Sequence, residues 1–339
     1  MKNYLRWGLR LIGPLLLVYI LWKSRGDLGE IATALRTANL WPILLSLGLM
    51  PVFIGVKSWR WNMLMRELDV VPPALGFSMI IYSVGLFYGN ATPGQSGDFL
   101  KAWYLTDRGQ PLAPTLFSIL LDRLFDFMIM APLALLTLVA FGAVIPRGVD
   151  TAAIIAAVVF IGATPLLMAR GPRNWGMRLL LPILPTRLRA LVEKWRAQFD
   201  SLNLRPGPLI ALLGASIGSA ASTMVRIYLL FLALDLARVP VLAVVGATAL
   251  IALLQALPIS FAGFGVREAV LIALLGLYGY SQGQALALSA LFLLINVEHI
   301  LVGFALSLRY PLGQKPPTDG VQSPKFKVQS EHDTIRQAD

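Results

Sequence analysis

The sequence predicts an all-α, polytopic integral membrane protein of about seven to nine hydrophobic helices. Two of these read as re-entrant or broken segments, with a weak internal repeat between them. Three observations predict this. AVILMFWYC residues make up 57% of the 339-residue chain, and the mean hydropathy is +0.70. Charged residues are only 14%, against roughly 25% in an ordinary soluble domain. The apolar residues gather in runs near the ~20 residues that a spanning helix needs. This composition excludes an ordinary soluble protein, a disordered chain and a nucleic-acid-binding module. The net charge of +11 is expected to face anionic lipid through cytoplasmic loops. With no cysteine and two histidines, His299 and His332, disulfides, thiolate chemistry and His-rich metal centres are excluded. No cofactor is expected.

Taken in order, apolar runs lie at 9–22, 40–61, 74–92, 116–142, 151–169, 208–234, 241–261, 266–280 and 284–308. The first has basic flanks, which also fit a cleaved leader. The absence of a small-x-small site after Trp22 favours a retained helix. Lys2, Arg6 and Arg10 place the N-terminus in the cytoplasm. Lys57, Arg60 and Arg66 end the second span on that same side. The segment 170–207 carries eight basic residues, from Arg170 to Arg205, against Glu193 and Asp200, and should be cytoplasmic too. Three full crossings between 70 and 170 would put it outside. The run 74–98 therefore should enter and leave on one side. Its end, from Asn90 through Pro93, Gly97 and Asp98, cannot continue a helix. Such backbone survives at membrane depth only inside protein or beside a wet cavity.

Within 170–207, residues 187–199 alternate at helical spacing. Leu188, Leu191, Val192, Trp195 and Phe199 form one face, while Arg189, Glu193, Lys194 and Arg196 form the other. An amphipathic helix on anionic inner-leaflet lipid and a linker helix packed on other loops both fit. Residues 1–311 form the membrane domain, and 312–339 read as a flexible polar tail.

Four polar sites interrupt the apolar runs. The first is Asn90-x-x-Pro93-x-x-x-Gly97-Asp98-x-x-Lys101, where Asp98 and Lys101 share a helical face and a helix N-terminus could offer N–H donors to an anion. A loop turn with a solvated ion pair is the bland alternative. The second, Pro258-x-Ser260-x-x-Gly263-x-Gly265-x-Arg267-Glu268, repeats that grammar. Paired broken segments point to a central site in transporters. The third is Asp122-Arg123-x-x-Asp126, with Arg123 spaced to reach Asp126. Charge in hydrocarbon costs roughly 2.5–3.5 kcal/mol per residue, so these groups should face protein or water. One positive charge against two negative ones wants a further cation, and Arg226 and Arg267 are the candidates. A structural ion-pair network is the competing account. The fourth, Asn296-x-Glu298-His299, reads better as an interhelical clamp than as a proton relay. No P-loop, Ser/His/Asp order or HExxH is present.

Over roughly 5–310, the chain resembles the flippase-like membrane domain of the lysylphosphatidylglycerol synthase family. The carriers are Lys57-Ser58-Trp59-Arg60-Trp61, Asn90…Pro93…Gly97-Asp98…Lys101-Ala102, Asp122-Arg123…Asp126 and Pro258-Ile259-Ser260…Gly263-Phe264-Gly265-Val266-Arg267-Glu268. Where the family often has Glu, this chain has Asp122, which keeps the charge. The resemblance implies a polytopic inner-membrane protein that moves a lipid. In full-length synthases a soluble C-terminal domain transfers an amino acid from aminoacyl-tRNA to phosphatidylglycerol. The short tail makes that reaction unexpected here. The expected function is translocation of an anionic phospholipid or related polar lipid through a central cavity. Arg267, Lys101 and Arg226 would hold the head group, with Asp98, Asp122, Asp126 and Glu268 orienting them. The alternative is a membrane enzyme, or its accessory subunit, in lipid head-group, glycolipid or hopanoid modification. A second copy or a lipid-synthesis enzyme are the candidate protein partners.

Overall fold

The computed structural model describes residues 28–90, 92–141, 206–256 and 265–312, with a few isolated positions between 151 and 178. The expected span at 9–22, most of the run 151–169, the surface helix 187–199, residues 257–264 and the tail from 313 lie outside them. The described residues form α1 (Leu28–Thr37), α2 (Leu40–Gly48), α3 (Met50–Arg66), α4 (Leu75–Asn90), a 3₁₀ segment (Pro93–Leu100), α5 (Lys101–Thr106), α6 (Leu112–Phe141), α7 (Pro206–Ala233), α8 (Val241–Gln255), α9 (Val266–Leu277) and α10 (Gln282–Arg309). All are helical, as composition and periodicity predict. Among the described residues, three stretches are long and apolar enough to cross a membrane: Leu40–Arg66, Gly207–Ala233 and Gln282–Arg309. The first joins α2 to α3 through Leu49, which stays right-handed helical, although Pro51 removes one ladder bond. Asn39 accepts from Trp41 N at 3.1 Å to open α2, and Ser281 accepts from Gln284 N at 3.1 Å to open α10. The short helix α1 has no counterpart among the predicted runs. Its few apolar residues form no continuous stretch, and it packs along the start of α10, where Ser281 donates to Glu30.

The chain doubles back twice. In the first hairpin α4 rises, the 3₁₀ segment turns, and the return runs antiparallel against α4. Gly97 lies at Tyr88, Lys101 at Gly85 and Arg108 over Phe77. The two feet meet where Val71 N donates to Gln110 Oε1 at 3.1 Å. Entry and exit thus share one end, as the loop charges require. The second hairpin is built from α8 and α9, whose feet meet where Arg238 N donates to Tyr280 Oη at 3.1 Å. At 16 and 15 residues, α4 and α8 are about 24 and 22 Å long, short of the ~30 Å hydrocarbon core.

Helix α10 shows how the hairpins are opposed. Its N-terminal end adjoins the feet of the second hairpin at Tyr280 and Ser281. Its C-terminal end meets the first, with Tyr104 Oη donating to Tyr310 O at 2.8 Å and Phe77 edge-on to Tyr310. The 28 residues of α10 separate these ends by about 42 Å. The two helix pairs therefore enter from opposite ends, with Asn90 of α4, Gln255 of α8 and Val266 of α9 at their inner ends. The apolar core divides accordingly. One cluster, with Trp61, Leu64, Ile81 and Phe125, surrounds the first hairpin. The other, with Leu250, Leu254, Leu271 and Leu288, surrounds the second.

Close backbone approach makes the first hairpin possible. A Cβ at Gly97 would stand 2.2 Å from the Tyr88 carbonyl oxygen, and one at Gly303 would stand 2.4 Å from that of Ser83. At Gly76 nothing lies within 4 Å. Gly97→Ala is expected to destabilise the detergent-solubilised protein by at least the ~1–3 kcal/mol of ordinary overpacking, while Gly76→Ala is neutral or slightly stabilising. Thermal unfolding of both variants measures the difference.

Candidate functional site

Among the described residues, four groups of ionisable side chains occupy the helical interior. One joins α3, α4, α6 and α7. Arg60, fully buried, donates from Nε to Asp122 Oδ1 at 2.8 Å and from Nη2 to the Asp122 carbonyl at 2.8 Å. Its Nη1 reaches Asp126 Oδ1 at 2.8 Å and Ser216 Oγ at 3.2 Å. Lys57 Nζ takes the other Asp126 oxygen at 2.7 Å, and Tyr82 Oη donates to Asp122 Oδ2 at 2.7 Å. The four-residue spacing does place Asp122 and Asp126 on one face. The cations that answer them are Arg60 and Lys57, not Arg226 or Arg267. Arg60, expected to mark a cytoplasmic helix end, is an interior residue. The helix runs on apolar through Leu64 and Met65, both fully buried, and so carries the charge inward. That continuation, beside two acids lacking a cation, was the signal available in the sequence.

Arg123 also departs from expectation. It turns away from Asp126 to the tip of the first hairpin, because successive helical residues point about 100° apart. Its Nε donates to Asp98 Oδ2 at 3.2 Å, Nη1 to Gln95 Oε1 at 3.1 Å and Nη2 to the Gln95 carbonyl at 2.8 Å. Lys101 pairs with Asp98 Oδ1 at 2.9 Å, the expected i,i+3 contact. Its ammonium lies 3.9 Å from the Tyr82 ring centroid and 5.1 Å from that of Trp61. Asn90 ends α4, and Pro93 opens the 3₁₀ segment. Gly97 N is taken by Thr92 Oγ1 at 2.6 Å, and the 3₁₀ segment runs straight into α5.

At the second hairpin Glu268 occupies the start of α9, accepting from Gly265 N, whose φ is +83°. That left-handed geometry favours glycine. Arg267 donates to Glu268 Oε1 at 2.7 Å and to Ser289 Oγ at 2.8 Å on α10, and Ser289 donates in turn to Glu268. Pro258, Ser260 and Gly263 lie outside the described residues. The fourth group is an interhelical clamp, as Asn296-x-Glu298-His299 suggested, and Arg226 is its other half. Arg226 Nε donates to the Ser46 carbonyl at 2.8 Å, Nη2 to Glu298, and Nη1 to His299 Nε2 at 3.1 Å. A guanidinium has only donors, so Nε2 accepts and the neutral ring carries its proton on Nδ1. Phe53 stacks on that ring.

Arg226 and Arg267 line one cavity of about 130 Å³, together with Gln255, Thr223, Thr248, Asn296, His299 and the rings of Phe53 and Phe292. It lies between the inner end of the second hairpin and helices α3, α7 and α10. Lys101, Asp98, Asp122, Asp126 and Glu268 do not line it. Of the three cations expected to share a head group, two converge and the third stays at the opposite hairpin.

The buried pair Arg60–Asp122 gives a direct test. Arg60→Met leaves a buried carboxylate unanswered and should cost about 3–5 kcal/mol, whereas Arg60→Met with Asp122→Leu should recover most of that loss. Unfolding of both in detergent measures it; a double variant as unstable as the summed singles would mean that the pair does not couple.

Comparison with known proteins places these motifs in a family. A UPF0104 membrane protein of Methanothermobacter thermautotrophicus is 21% identical over 311 residues, covering 83% of this chain and 87% of that protein. No solved structure matches. The family model for the lysylphosphatidylglycerol synthase TM region matches residues 9–303. With most of its length matched, the chain belongs to the lysylphosphatidylglycerol synthase transmembrane-region family, membrane domains tied to lipid modification and transport.

Proposed function

We propose that this protein is a flippase-like transporter that moves an anionic phospholipid or related polar lipid across the inner membrane. The observation that carries the reading is the cavity lined by both Arg226 and Arg267 at the inner end of the second hairpin. Broken helices that point inward from opposite ends are the way membrane proteins place polar groups near the midplane. The cavity, of about 130 Å³, would take a polar head group. The tails stay in the bilayer while the head group passes. Thr223, Thr248, Gln255 and Asn296 supply neutral hydrogen-bond partners to a group released by one arginine and awaiting the other. Each arginine already has a carboxylate partner. An anion must compete for it, which keeps binding weak enough for release. No P-loop is present, so the movement is passive or coupled to an ion gradient. Helix α7 runs antiparallel to α2 and α3, with Ser216 at Arg60 and Arg226 at Ser46, and the end of α3 meets the foot of the first hairpin where Asn62 Nδ2 donates to the Pro73 carbonyl. The start of α7, which in sequence follows the basic segment 170–205, therefore shares that end. By the positive-inside rule that end is cytoplasmic.

Fluorescent phosphatidylglycerol in proteoliposomes, with dithionite quenching of the outer leaflet, tests the reading. Wild type is expected to accelerate scrambling. Arg267→Ala and the cavity-filling Thr248→Leu should each slow it by at least tenfold, with thermal unfolding confirming that the variants fold. Equal rates in wild type and both variants remove the cavity from the mechanism, and no acceleration by wild type removes the function.

A further inference from the structure

The four ionisable groups do not balance alike. Lys57 and Arg60 meet Asp122 and Asp126, Arg226 meets Glu298, and Arg267 meets Glu268. Each of these closes at zero. At the tip of the first hairpin, among the described residues, Asp98 alone answers both Lys101 and Arg123, at 2.9 and 3.1 Å. The ammonium of Lys101 sits over the faces of Tyr82 and Trp61, which attract a cation. One carboxylate therefore serves two cations, and a positive charge is left over. Such an excess is costly in a low-dielectric interior unless a counter-charge arrives.

It can arrive only at Arg123. The Lys101 side chain is fully covered, whereas that of Arg123 is 16% exposed. Its Nη1 makes one hydrogen bond, to Gln95 Oε1, and a guanidinium nitrogen of this kind has two hydrogens to give. With Oε1 fixed, the Gln95 amide nitrogen faces away from the guanidinium and keeps its two donors. Gln95 holds φ of +55°, a left-handed conformation that a glutamine seldom adopts and that tends to occur at binding sites. The exposed Ser96 adds a hydroxyl beside it.

We propose that Arg123, Gln95 and Ser96 form a binding site for a singly charged oxyanion of the phosphodiester type. Arg123 supplies the charge and one donor, the Gln95 amide supplies further donors, and Ser96 closes the rim. A lipid head group and a free phosphate share the tetrahedral phosphate oxygens, although only the diester is fixed at a single charge. The site lies apart from the Arg226 cavity and requires no transport, so it stands or falls independently of the proposed function.

The test is the thermal stability of the purified full chain in neutral detergent, with added phosphatidylglycerol, phosphatidylcholine or inorganic phosphate. Wild type is expected to gain stability with phosphatidylglycerol and not with phosphatidylcholine. Gln95→Glu supplies the missing charge from within. It should melt higher than wild type without lipid, and its apparent affinity for phosphatidylglycerol should fall at least tenfold. If that variant does not fold, Ser96→Glu puts the same charge on an exposed neighbour with the same expected result. Inorganic phosphate matching phosphatidylglycerol would support the site as one for free anions; a response to the lipid alone would support a head-group site. An unchanged phosphatidylglycerol response in the glutamate variants, or none in wild type, overturns the proposal.

Discussion

The ion pair between Arg60 and Asp122 is the contact on which the first half of the interior depends. A guanidinium and a carboxylate with no exposure to solvent are tolerable only when every donor and acceptor is answered. Here the answers come from three other helices: Asp126 and the Asp122 carbonyl on α6, Ser216 on α7 and Tyr82 on α4. Satisfying Arg60 therefore fixes the positions of α4, α6 and α7 around α3. The position of the first hairpin follows. Tyr82, held by Asp122, offers its face to Lys101, and Lys101 holds Asp98 at the return of the hairpin. One turn of α6 feeds both groups, because Asp122 points to α3 while its neighbour Arg123 points to the hairpin tip.

The two hairpins solve the same problem by different means. Each must end its backbone ladder inside a helical bundle without stranding donors. The first uses Thr92, whose hydroxyl accepts from Gly97 N and donates to the Tyr88 carbonyl. The second uses Glu268, which accepts from Gly265 N and is in turn held by Arg267 and Ser289. A charged cap keeps Arg267 beside the cavity with its charge already matched. A neutral cap leaves the charge at the first tip to the side chains, where two cations share Asp98. This difference in capping makes the two hairpins electrostatically unlike.

Much of the architecture was legible in the sequence, because the signals involved are local. Helical periodicity and composition set the all-α membrane class. The parity of basic segments required the chain to turn back near residue 98, and it does. Spacing alone placed Asp98 with Lys101, Asp122 with Asp126 on one face, and Arg267 beside Glu268. The clamp at Glu298 and His299 was readable as a polar break in the last apolar run. What local signals leave open is which partner a charge selects. Arg60 looked like a helix end because basic residues usually are one. Arg123 looked like the mate of Asp126 because the three-residue spacing allows it. Lys101 looked like a companion of Arg226 and Arg267 because all three interrupt apolar runs.

Those choices belong to tertiary structure. An i,i+3 or i,i+4 contact is fixed by helix geometry, so the sequence by itself determines it together with the fold class and the places where a helix must break. A contact across 62 residues, such as Arg60 with Asp122, depends on which helix faces pack, and that is decided by the summed burial of many side chains. Only the folded chain could decide that Arg226 and Arg267 share a cavity while Lys101 stays with the other hairpin. The physical reason is that the hairpins enter from opposite ends, a relation no local pattern records.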